Sequence, residues 1–259
     1  MTKYQSIVLT GASSGIGRAL AEAVAARGRH LLLIARNEDR LAEAATAAQA
    51  RGAEVETATV DVTDRAGMLQ LLRDFDGRHP VDLILANAGV SAGLEPGQMP
   101  EAEGVSYRLA QINYLGMLNS VEPLLPAMIA RGRGRIALMA SLAGLRPHPD
   151  MPSYSATKAA VRAWGTAMRG AMRSHGIGVT VINPGFVTSP MANRHHGFKP
   201  FEIPADAAAE RILHGLAEDK PLITFPWPLA LLIWLGNRMP PGLSDLAVKG
   251  FRADIAPED

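Results

Sequence analysis

Short runs of aliphatic residues alternate with longer alanine-rich stretches along most of the chain. Most positions in the aliphatic runs are apolar, which is typical of strands that a parallel sheet buries on both faces. The alanine-rich stretches carry their larger apolar residues on one stripe, with the period of an amphipathic helix. The predicted strands are 6–10, 30–35, 54–59, 83–87, 135–141, 178–184 and 222–225.

The predicted helices lie between these strands, at 15–27, 38–51, 109–131, 153–174 and 205–218. Asn37 stands directly before the second helix, where an amide side chain can cap the free backbone N–H groups. The third helix contains Pro123 and Pro126, which must bend or interrupt it because proline lacks a backbone N–H.

This alternation of strands and helices predicts a doubly wound α/β fold of the Rossmann type, a parallel sheet between two helical layers. The chain shows no linker or internal repeat, so residues 1–259 are expected to form a single domain. Ligands of such sheets bind outside the carboxyl ends of the strands. The residues at or just after these ends are Gly11, Arg36, Asp61, Asn87, Ser141 and Pro184.

The composition narrows the class of protein without changing this prediction. Apolar residues make up 47% of the chain, which favours a globular protein over a disordered or fibrous one. The 26 basic and 25 acidic residues leave a net charge of +1, so no basic field points to nucleic acid. The chain contains no cysteine, which excludes disulfides, thiolate metal sites and a cysteine nucleophile.

The N-terminus shows no charged leader followed by a long apolar run, so we expect no secretory signal. The longest strongly apolar run, 228–235, is well short of the ~20 residues that span a bilayer. These features favour a cytoplasmic protein.

The first strand is followed by a glycine-rich turn of the form G-x-x-x-G-x-G. Gly11 permits a tight turn, Gly15 lets the backbone approach a pyrophosphate, and Gly17 allows the helix to pack closely on the strand. A pyrophosphate would lie at the helix N-terminus, where unpaired N–H groups favour negative charge. A plain strand–helix turn is the alternative. The expected cofactor contacts of the turn are Gly11, Ser13, Ser14, Gly15, Ile16 and Gly17.

The second strand is followed by Arg36, at a position where NAD-binding proteins place an acidic residue that binds the ribose 2′-hydroxyl. A guanidinium there can pair with a 2′-phosphate, so we expect NADP(H) rather than NAD(H) as the cofactor. Alternatively, Arg36 is a surface charge paired with Glu38 or Asp39. Asp61 and Val62 can meet the adenine edge through a carboxylate and a main-chain N–H, although Asp61 also suits a turn.

Tyr154 and Lys158 are spaced to share one face of a predicted helix. A free tyrosine has a pKa near ~10, and a neighbouring ammonium is expected to lower that pKa by favouring the phenolate. The pair can then exchange a proton with an alcohol or carbonyl oxygen near neutral pH. Ser141 can hold that oxygen, and Asn113 can hold a water that reaches Lys158. Taken singly, Tyr154 and Lys158 suit an ordinary surface pair, and Asn113 suits a helix-surface amide.

Together these motifs resemble the short-chain dehydrogenase/reductase family, in its compact single-domain branch. The resemblance covers about residues 5 to 190 and includes the motifs at 10–17, 87–89, 154–158 and 184–188. It implies a catalytic tetrad of Asn113, Ser141, Tyr154 and Lys158. It also implies cofactor contacts from Asn87, Ala88, Gly89, Tyr154, Lys158, Pro184, Gly185, Val187 and Thr188.

The activity that the resemblance implies is hydride transfer between NADPH and a carbonyl or secondary alcohol. Ser141 and Tyr154 would hydrogen-bond the reacting oxygen, Lys158 would hold the nicotinamide ribose, and Thr188 would lie near the carboxamide. A non-catalytic NADP(H)-binding sensor or scaffold on the same fold is the alternative. Epimerisation or dehydration of a nucleotide sugar would need a larger substrate domain than the stretch after Thr188 provides.

The substrate is expected to lie among the segments 91–97, 145–152 and 191–201, with 188–203 as a lid. Their apolar character favours a hydrophobic ketone or alcohol, although these residues also suit packing of the lid on itself. His195 and His196 have no third ligand nearby, so no metal site is expected. The expected lining residues are Leu94, Leu145, His148, Met151, Met191 and Phe198.

Residues 226–259 form an apolar C-terminal extension that departs from the Gly-Gly ending of ketoacyl reductases. Trp227 and Trp234, with Leu229, Leu232 and Ile233, can rest in a lipid interface as a peripheral membrane contact. A subunit contact or a helix folded against the lid are the alternatives. An exposed apolar segment also favours a homodimer or homotetramer.

Overall fold

The computed structural model describes residues 4–94, 101–240, 242–243 and 254–255. Among the described residues, seven strands form one parallel sheet, in the order β3-β2-β1-β4-β5-β6-β8. These strands are β1 (Ser6–Thr10), β2 (His30–Ala35), β3 (Glu54–Thr59), β4 (Leu83–Ala86), β5 (Gly134–Met139), β6 (Ile177–Pro184) and β8 (Leu222–Phe225). The short strands β7 (His195–His196) and β9 (Asp254–Ile255) pair separately and antiparallel.

Helices cover both faces of the sheet, so the prediction of a doubly wound three-layer fold is confirmed. The helices before the middle of the chain are α1 (Gly15–Val24), α2 (Glu38–Gln49), α3 (Arg65–Arg78), α4 (Val105–Leu109), α5 (Gly116–Val121) and α6 (Leu125–Arg131). Those after it are α7 (Pro152–Met172), α8 (Pro190–Asn193), α9 (Ala205–Ala217) and α10 (Trp227–Gly236). In the described part of the chain, no helix is both long and apolar enough to cross a bilayer.

The core lies in two clusters, one on each face of the sheet. Successive strand residues point to opposite faces, so Leu9 lies in the cluster that contains Leu20 of α1, while Val8 lies in the cluster that contains Leu72 of α3 and Val161 of α7. The edge strand β3 is the exception to the apolar pattern, because four of its six residues are exposed and the other two are only partly buried. The two clusters fix the sheet rigidly between its helices.

Most predicted elements agree with the structure to within a few residues. Asn37 caps α2 as expected, because its side chain accepts a hydrogen bond from the backbone N–H of Arg40. The predicted helix 109–131 is interrupted near its prolines by a 3-10 turn, Glu122–Leu124. It also begins earlier, with α4, and contains a π-helical turn, Ala110–Leu115, that the sequence did not predict.

Helix α3 was missing from the sequence-based prediction. Asp64 caps it by accepting a hydrogen bond from the backbone N–H of Gly67 at 3.0 Å. Its buried residues Met68, Leu72 and Phe75 follow the spacing of one helical face. Polar residues and a glycine in the first turn dilute this pattern, but the aspartate before it is a recognisable start signal.

Candidate active site

The glycine turn after β1 places the backbone of residues 11–17 at the carboxyl end of the sheet. Gly11 and Gly15 have φ angles of +69° and +51°, which favour glycine. A Cβ on Gly17 would lie 2.0 Å from the carbonyl oxygen of Gly11, so the close packing there also requires glycine. Ser14 precedes α1 with no capping hydrogen bond from its side chain, which leaves the helix N-terminus suited to a phosphate. The turn therefore fits a dinucleotide.

Asn87 and Ala88, just after β4, fasten the glycine turn to the centre of the sheet. The Asn87 side chain donates to the carbonyl oxygens of Thr10 at 3.0 Å and Gly11 at 3.3 Å. The backbone N–H groups of Asn87 and Ala88 both donate to the Thr10 hydroxyl at 3.1 Å. These bonds hold the ends of β1 and β4 together at the point where the strand order reverses, which is where ligands bind in such sheets.

Arg36 pairs with Asp61 rather than with either acidic residue that follows it. The guanidinium nitrogen Nη1 lies 3.7 Å from Oδ2 of Asp61, and both side chains are well exposed. The other carboxylate oxygen of Asp61 accepts hydrogen bonds from the backbone and hydroxyl of Thr63, both at 2.8 Å. Asp61 is therefore a turn residue as well as a neighbour of Arg36, and Val62 beside it is buried.

Asn113 lies in the π-helical turn and is buried, which excludes the interpretation as a helix-surface amide. Its side chain accepts from the backbone N–H of Val90 at 2.8 Å and donates to the Val90 carbonyl at 3.0 Å. It also donates to the hydroxyl of Thr157 in α7 at 3.1 Å. A π turn inside a helix is common at functional sites, and here it aims the amide at the chain after β4.

Gly89 is the position at which Asn113 and Lys158 approach the end of β4. A Cβ added to Gly89 would lie 3.0 Å from Oδ1 of Asn113 and 3.2 Å from Nζ of Lys158. The structure therefore brings two of the predicted catalytic residues, Asn113 and Lys158, together at Gly89.

Lys158 is buried, and its Nζ donates a hydrogen bond to the carbonyl oxygen of Met139 at 2.9 Å. Burial lowers the pKa of Lys158 to about 8, because the apolar surroundings disfavour the charged form. The same Nζ is 5.8 Å from the ring centroid of Tyr154. The ammonium thus lies beside the phenol ring without a direct bond to its hydroxyl.

Tyr154 and Ser141 form the second half of the site, joined by a hydrogen bond between their side chains. Burial raises the pKa of Tyr154 above its ordinary value, and the bond to Ser141 acts in the opposite direction. The pKa of this phenol is therefore raised rather than lowered as expected, because burial has the largest effect on it and Lys158 does not contribute. Ser141 is held by a second bond, since its hydroxyl accepts from the backbone N–H of Ala143 at 3.1 Å.

The segment after β6 carries the remaining predicted cofactor residues. Gly185, next to Pro184, donates its backbone N–H to the carbonyl of Phe225 at 2.8 Å. Val187 is buried, and the Thr188 hydroxyl lies within hydrogen-bond distance of the Glu202 carboxylate, at 3.3 Å. The contact of Thr188 with Glu202, together with the hydrogen bond from the backbone N–H of Thr188 to the carbonyl of Ile203 at 2.9 Å, connects the start of the lid to its end.

Ser189 is a site residue that the sequence analysis missed. A Cβ on Gly15 would lie 2.9 Å from the Cβ of Ser189, so this serine sits against the glycine turn. Its hydroxyl accepts from the backbone N–H of Ala192 and so caps α8. Its position directly after Thr188 was the only sequence signal.

The three segments expected around the substrate lie close together where the structure describes them; residues 95–97 are outside the described part. The backbone N–H of Leu94 donates to the carbonyl of Asp150 at 2.7 Å. Arg194 of the lid donates to the carbonyl of Ser91 at 3.4 Å. Phe198 is 70% exposed, so it does not line an enclosed site here. The other expected lining residues, Leu94, Leu145, His148, Met151 and Met191, are partly buried.

Comparison with known proteins gives a clear family match. The family model described as "short chain dehydrogenase" matches residues 5–198. The chain is 32% identical over 252 residues to an uncharacterized oxidoreductase of Myxococcus xanthus, covering 96% of this chain and 98% of that protein. It is also 32% identical over 209 residues to a fatty acyl-CoA reductase of Acinetobacter baylyi, covering 80% and 71% of the two chains.

Solved structures share the fold over most of the chain. A short chain dehydrogenase from Mycobacterium paratuberculosis bound to NAD is 25% identical, with a TM-score of 0.74 and coverage of 85% and 95%. A short-chain dehydrogenase from Sphingobium yanoikuyae in complex with NADPH is 24% identical, with a TM-score of 0.77 and coverage of 92% and 97%.

Proposed function

This chain belongs to the short-chain dehydrogenase/reductase family, and from that premise we propose that it interconverts an apolar carbonyl compound and its secondary alcohol with NADP(H). Membership makes the protein an oxidoreductase that uses a nicotinamide dinucleotide. The observation that carries the finer proposal is the meeting of Tyr154, Ser141 and Lys158 with Asn113 beside the glycine turn.

The proposed role of each site residue follows from the hydrogen bonds and the proton transfer that its side chain can make. The Tyr154 hydroxyl keeps its proton because its pKa is raised, so it is suited to donate that proton to a carbonyl oxygen during reduction. Ser141 already bonds Tyr154, and its hydroxyl can hold the same substrate oxygen as charge builds there. The nicotinamide, when bound, supplies or accepts the hydride. Asn113 keeps the chain after β4 in place, and the ammonium of Lys158 lies beside the phenol ring.

The dinucleotide would be held by the residues that fit it in this structure. The glycine turn would take the pyrophosphate, the chain at Asn87, Ala88 and Gly89 would support the centre, and 184–188 would border the nicotinamide. We propose NADP(H) over NAD(H) because the exposed guanidinium of Arg36 can turn towards a 2′-phosphate. Its ion pair with Asp61 is long and exposed, so breaking the pair costs little.

An apolar substrate is supported by two observations. The segments at 91–94 and 145–152, which contact each other through the backbone of Leu94 and Asp150, consist mainly of apolar residues. In addition, the relative from Acinetobacter baylyi is named a fatty acyl-CoA reductase. The non-catalytic alternative has less support, because a binding protein has no need for Ser141, Tyr154 and Lys158 together.

We also propose a homodimer or homotetramer in the cytoplasm. Tyr107 and Leu115, on the helical segment that contains the π turn, are 78% and 48% exposed, and an oligomer contact would cover them. Light scattering on the purified protein measures this directly, and a monomer at micromolar concentration would refute it.

The activity is tested by following NADPH consumption with a panel of ketones that differ in chain length and polarity. We expect turnover that increases with apolar chain length, and a preference for NADPH over NADH. A protein that binds NADPH but reduces none of the ketones, and oxidises none of the alcohols, would contradict the proposal.

A further inference from the structure

Helix α10 is apolar over its whole length and contains no buried residue. Trp227 is 73% exposed, Leu231 47%, Leu232 56%, Trp234 52% and Leu235 48%. At about 100° per residue these five side chains occupy one arc of roughly 160° around the helix axis. Leu229, Ala230 and Ile233 lie on the opposite side and are partly buried. The helix therefore lies flat on the protein with an apolar face turned to solvent.

Both ends of α10 are fastened next to the candidate active site. Pro226 precedes the helix, and its Cδ would be 2.9 Å from a Cβ on Gly185. At the other end, the side chain of Asn237 donates to the carbonyl of Leu145 at 2.9 Å. Leu145 belongs to the segment that follows Ser141 and is expected to border the substrate. The apolar face is therefore anchored beside the substrate side of the site.

A second protein chain is a poor fit for this face. A stable protein interface buries about 800 Å² on each partner and uses roughly 20–30 residues a side. The exposed face of α10 offers five side chains, and none of them has a charged group that would set a register. A dimer through α10 alone would therefore be small and weakly specified.

A lipid surface matches the chemistry of the face better. Tryptophan favours the boundary between headgroups and acyl chains, and Trp227 and Trp234 stand at or near the two ends of the helix. The guanidinium of Arg238, just after the helix, lies 3.4 Å from the ring centroid of Trp234. When Trp234 lies at the headgroup boundary, the cation beside it can pair with an anionic headgroup while the leucines enter the acyl region. The helix is too short to span, so it would lie in the plane of the interface.

We propose that α10 docks the protein on an anionic lipid bilayer, and that its apolar substrate reaches the active site from that bilayer. The docking of α10 on the bilayer is called the docking clause, and the arrival of the substrate from the bilayer is called the entry clause. The entry clause rests on the proposed function, whereas the docking clause does not.

The docking clause is tested by sedimentation of the full chain with phosphatidylcholine vesicles, with and without phosphatidylglycerol. We expect the wild type to pellet with vesicles, and more strongly with the anionic ones. The double variant Leu232→Glu/Leu235→Glu should bind at least about tenfold more weakly, because each change places a charge in the acyl region. Leu222→Glu is the matched control: Leu222 is 49% exposed but lies at the start of β8, and binding should stay unchanged.

Two results would overturn docking. The first is equal pelleting of the wild type and the double variant when circular dichroism shows both folded. The second is loss of a dimer in the double variant, seen by light scattering, while the wild type shows no vesicle binding.

The entry clause is tested with a long-chain ketone dissolved in vesicles and a short water-soluble ketone. The double variant should lose about tenfold in kcat/KM towards the vesicle-borne ketone and keep its kcat/KM towards the soluble one. Equal kcat/KM for the vesicle-borne ketone in both proteins would refute entry from the bilayer. Absence of turnover with every ketone would refute the proposed function, while pelleting would still report on docking.

Discussion

Burial moves the two ionisable side chains of the candidate site towards their neutral forms. It raises the pKa of Tyr154 and lowers the pKa of Lys158 to about 8. Lys158 is therefore charged below that pH and loses its proton as the pH rises through it, while Tyr154 keeps its proton throughout this range. Around pH 8, the charge of Lys158 therefore changes with pH, whereas Tyr154 stays neutral.

The loss of the Lys158 charge around pH 8 predicts a pH dependence of carbonyl reduction. The kcat/KM of the wild type should fall as the pH rises above about 8, because the ammonium beside Tyr154 is lost. In Lys158→Arg, the guanidinium stays charged, so the fall should move to higher pH even if the maximum rate is lower. Pre-steady-state or steady-state rates across the pH range measure both profiles. An unchanged midpoint in Lys158→Arg would show that another group titrates.

Arg36 carries the choice of dinucleotide in this account. Arg36→Asp should raise the KM for NADPH by roughly 10- to 100-fold, because a charge-assisted contact with the 2′-phosphate is replaced by repulsion. The KM for NADH should fall or stay constant. Arg40→Asp makes the same charge change on the exposed side of the next helix and is the matched control. Equal effects of the two variants on NADPH would remove Arg36 from the cofactor site.

Residue identities in the site followed from sequence motifs, but their bonds did not. The turn at Gly11 and the pair Tyr154 and Lys158 were proposed from spacing and chemistry, and the tetrad that adds Asn113 and Ser141 was implied by the family resemblance. The bond from Lys158 to the carbonyl of Met139 and the contact between Arg36 and Asp61 join distant parts of the chain. Such contacts depend on the packing of elements, which local periodicity does not encode.

At the scale of elements, prolines and caps were better guides than hydrophobic periodicity alone. Pro123 and Pro126 correctly predicted an interrupted helix, because each removes a backbone donor. The π turn that holds Asn113 was not predicted, since one extra residue in a turn has no distinct apolar pattern. The structure therefore decides between the two interpretations of Asn113, a buried amide and a helix-surface amide, in favour of the buried one.

Helix α3 gives a direct test of packing at this scale. Leu72 is fully buried, whereas Leu69 in the same helix is 36% exposed. Leu72→Ala should lower the free energy of unfolding by about 2–5 kcal/mol, because it leaves a cavity. Leu69→Ala should change it by about 0.5 kcal/mol or less. Urea denaturation of both variants measures the difference, and similar values would contradict the assigned face of α3.

For the whole molecule, the order of strands places the predicted ligand residues at one edge of the sheet. The alternation of strands and helices was enough to predict this edge, because parallel strands carry their binding loops at the carboxyl ends. The pairing of β7 with β9 was not predictable, since it joins the lid to residues near the C-terminus through two-residue strands. The fold class could thus be predicted from sequence, whereas the pairing of the lid strand β7 with β9 could not.

Cofactor binding should stabilise the whole fold, because the dinucleotide site exists only in the folded chain. At a concentration about 100 times its Kd, NADPH should add about 2.7 kcal/mol and raise the melting temperature by several degrees. NADH at the same concentration should give a smaller shift. Thermal denaturation followed by circular dichroism measures both, and no shift with either dinucleotide would contradict the cofactor site.

The central claim is that the Tyr154 hydroxyl donates the proton that completes carbonyl reduction. The most direct measurement compares kcat with NADPH affinity in Tyr154→Phe, which removes only the hydroxyl. We expect kcat to fall by about 10²- to 10⁴-fold, while the Kd for NADPH, measured by fluorescence, changes by less than about twofold. A variant that keeps a kcat close to the wild-type value would contradict the account.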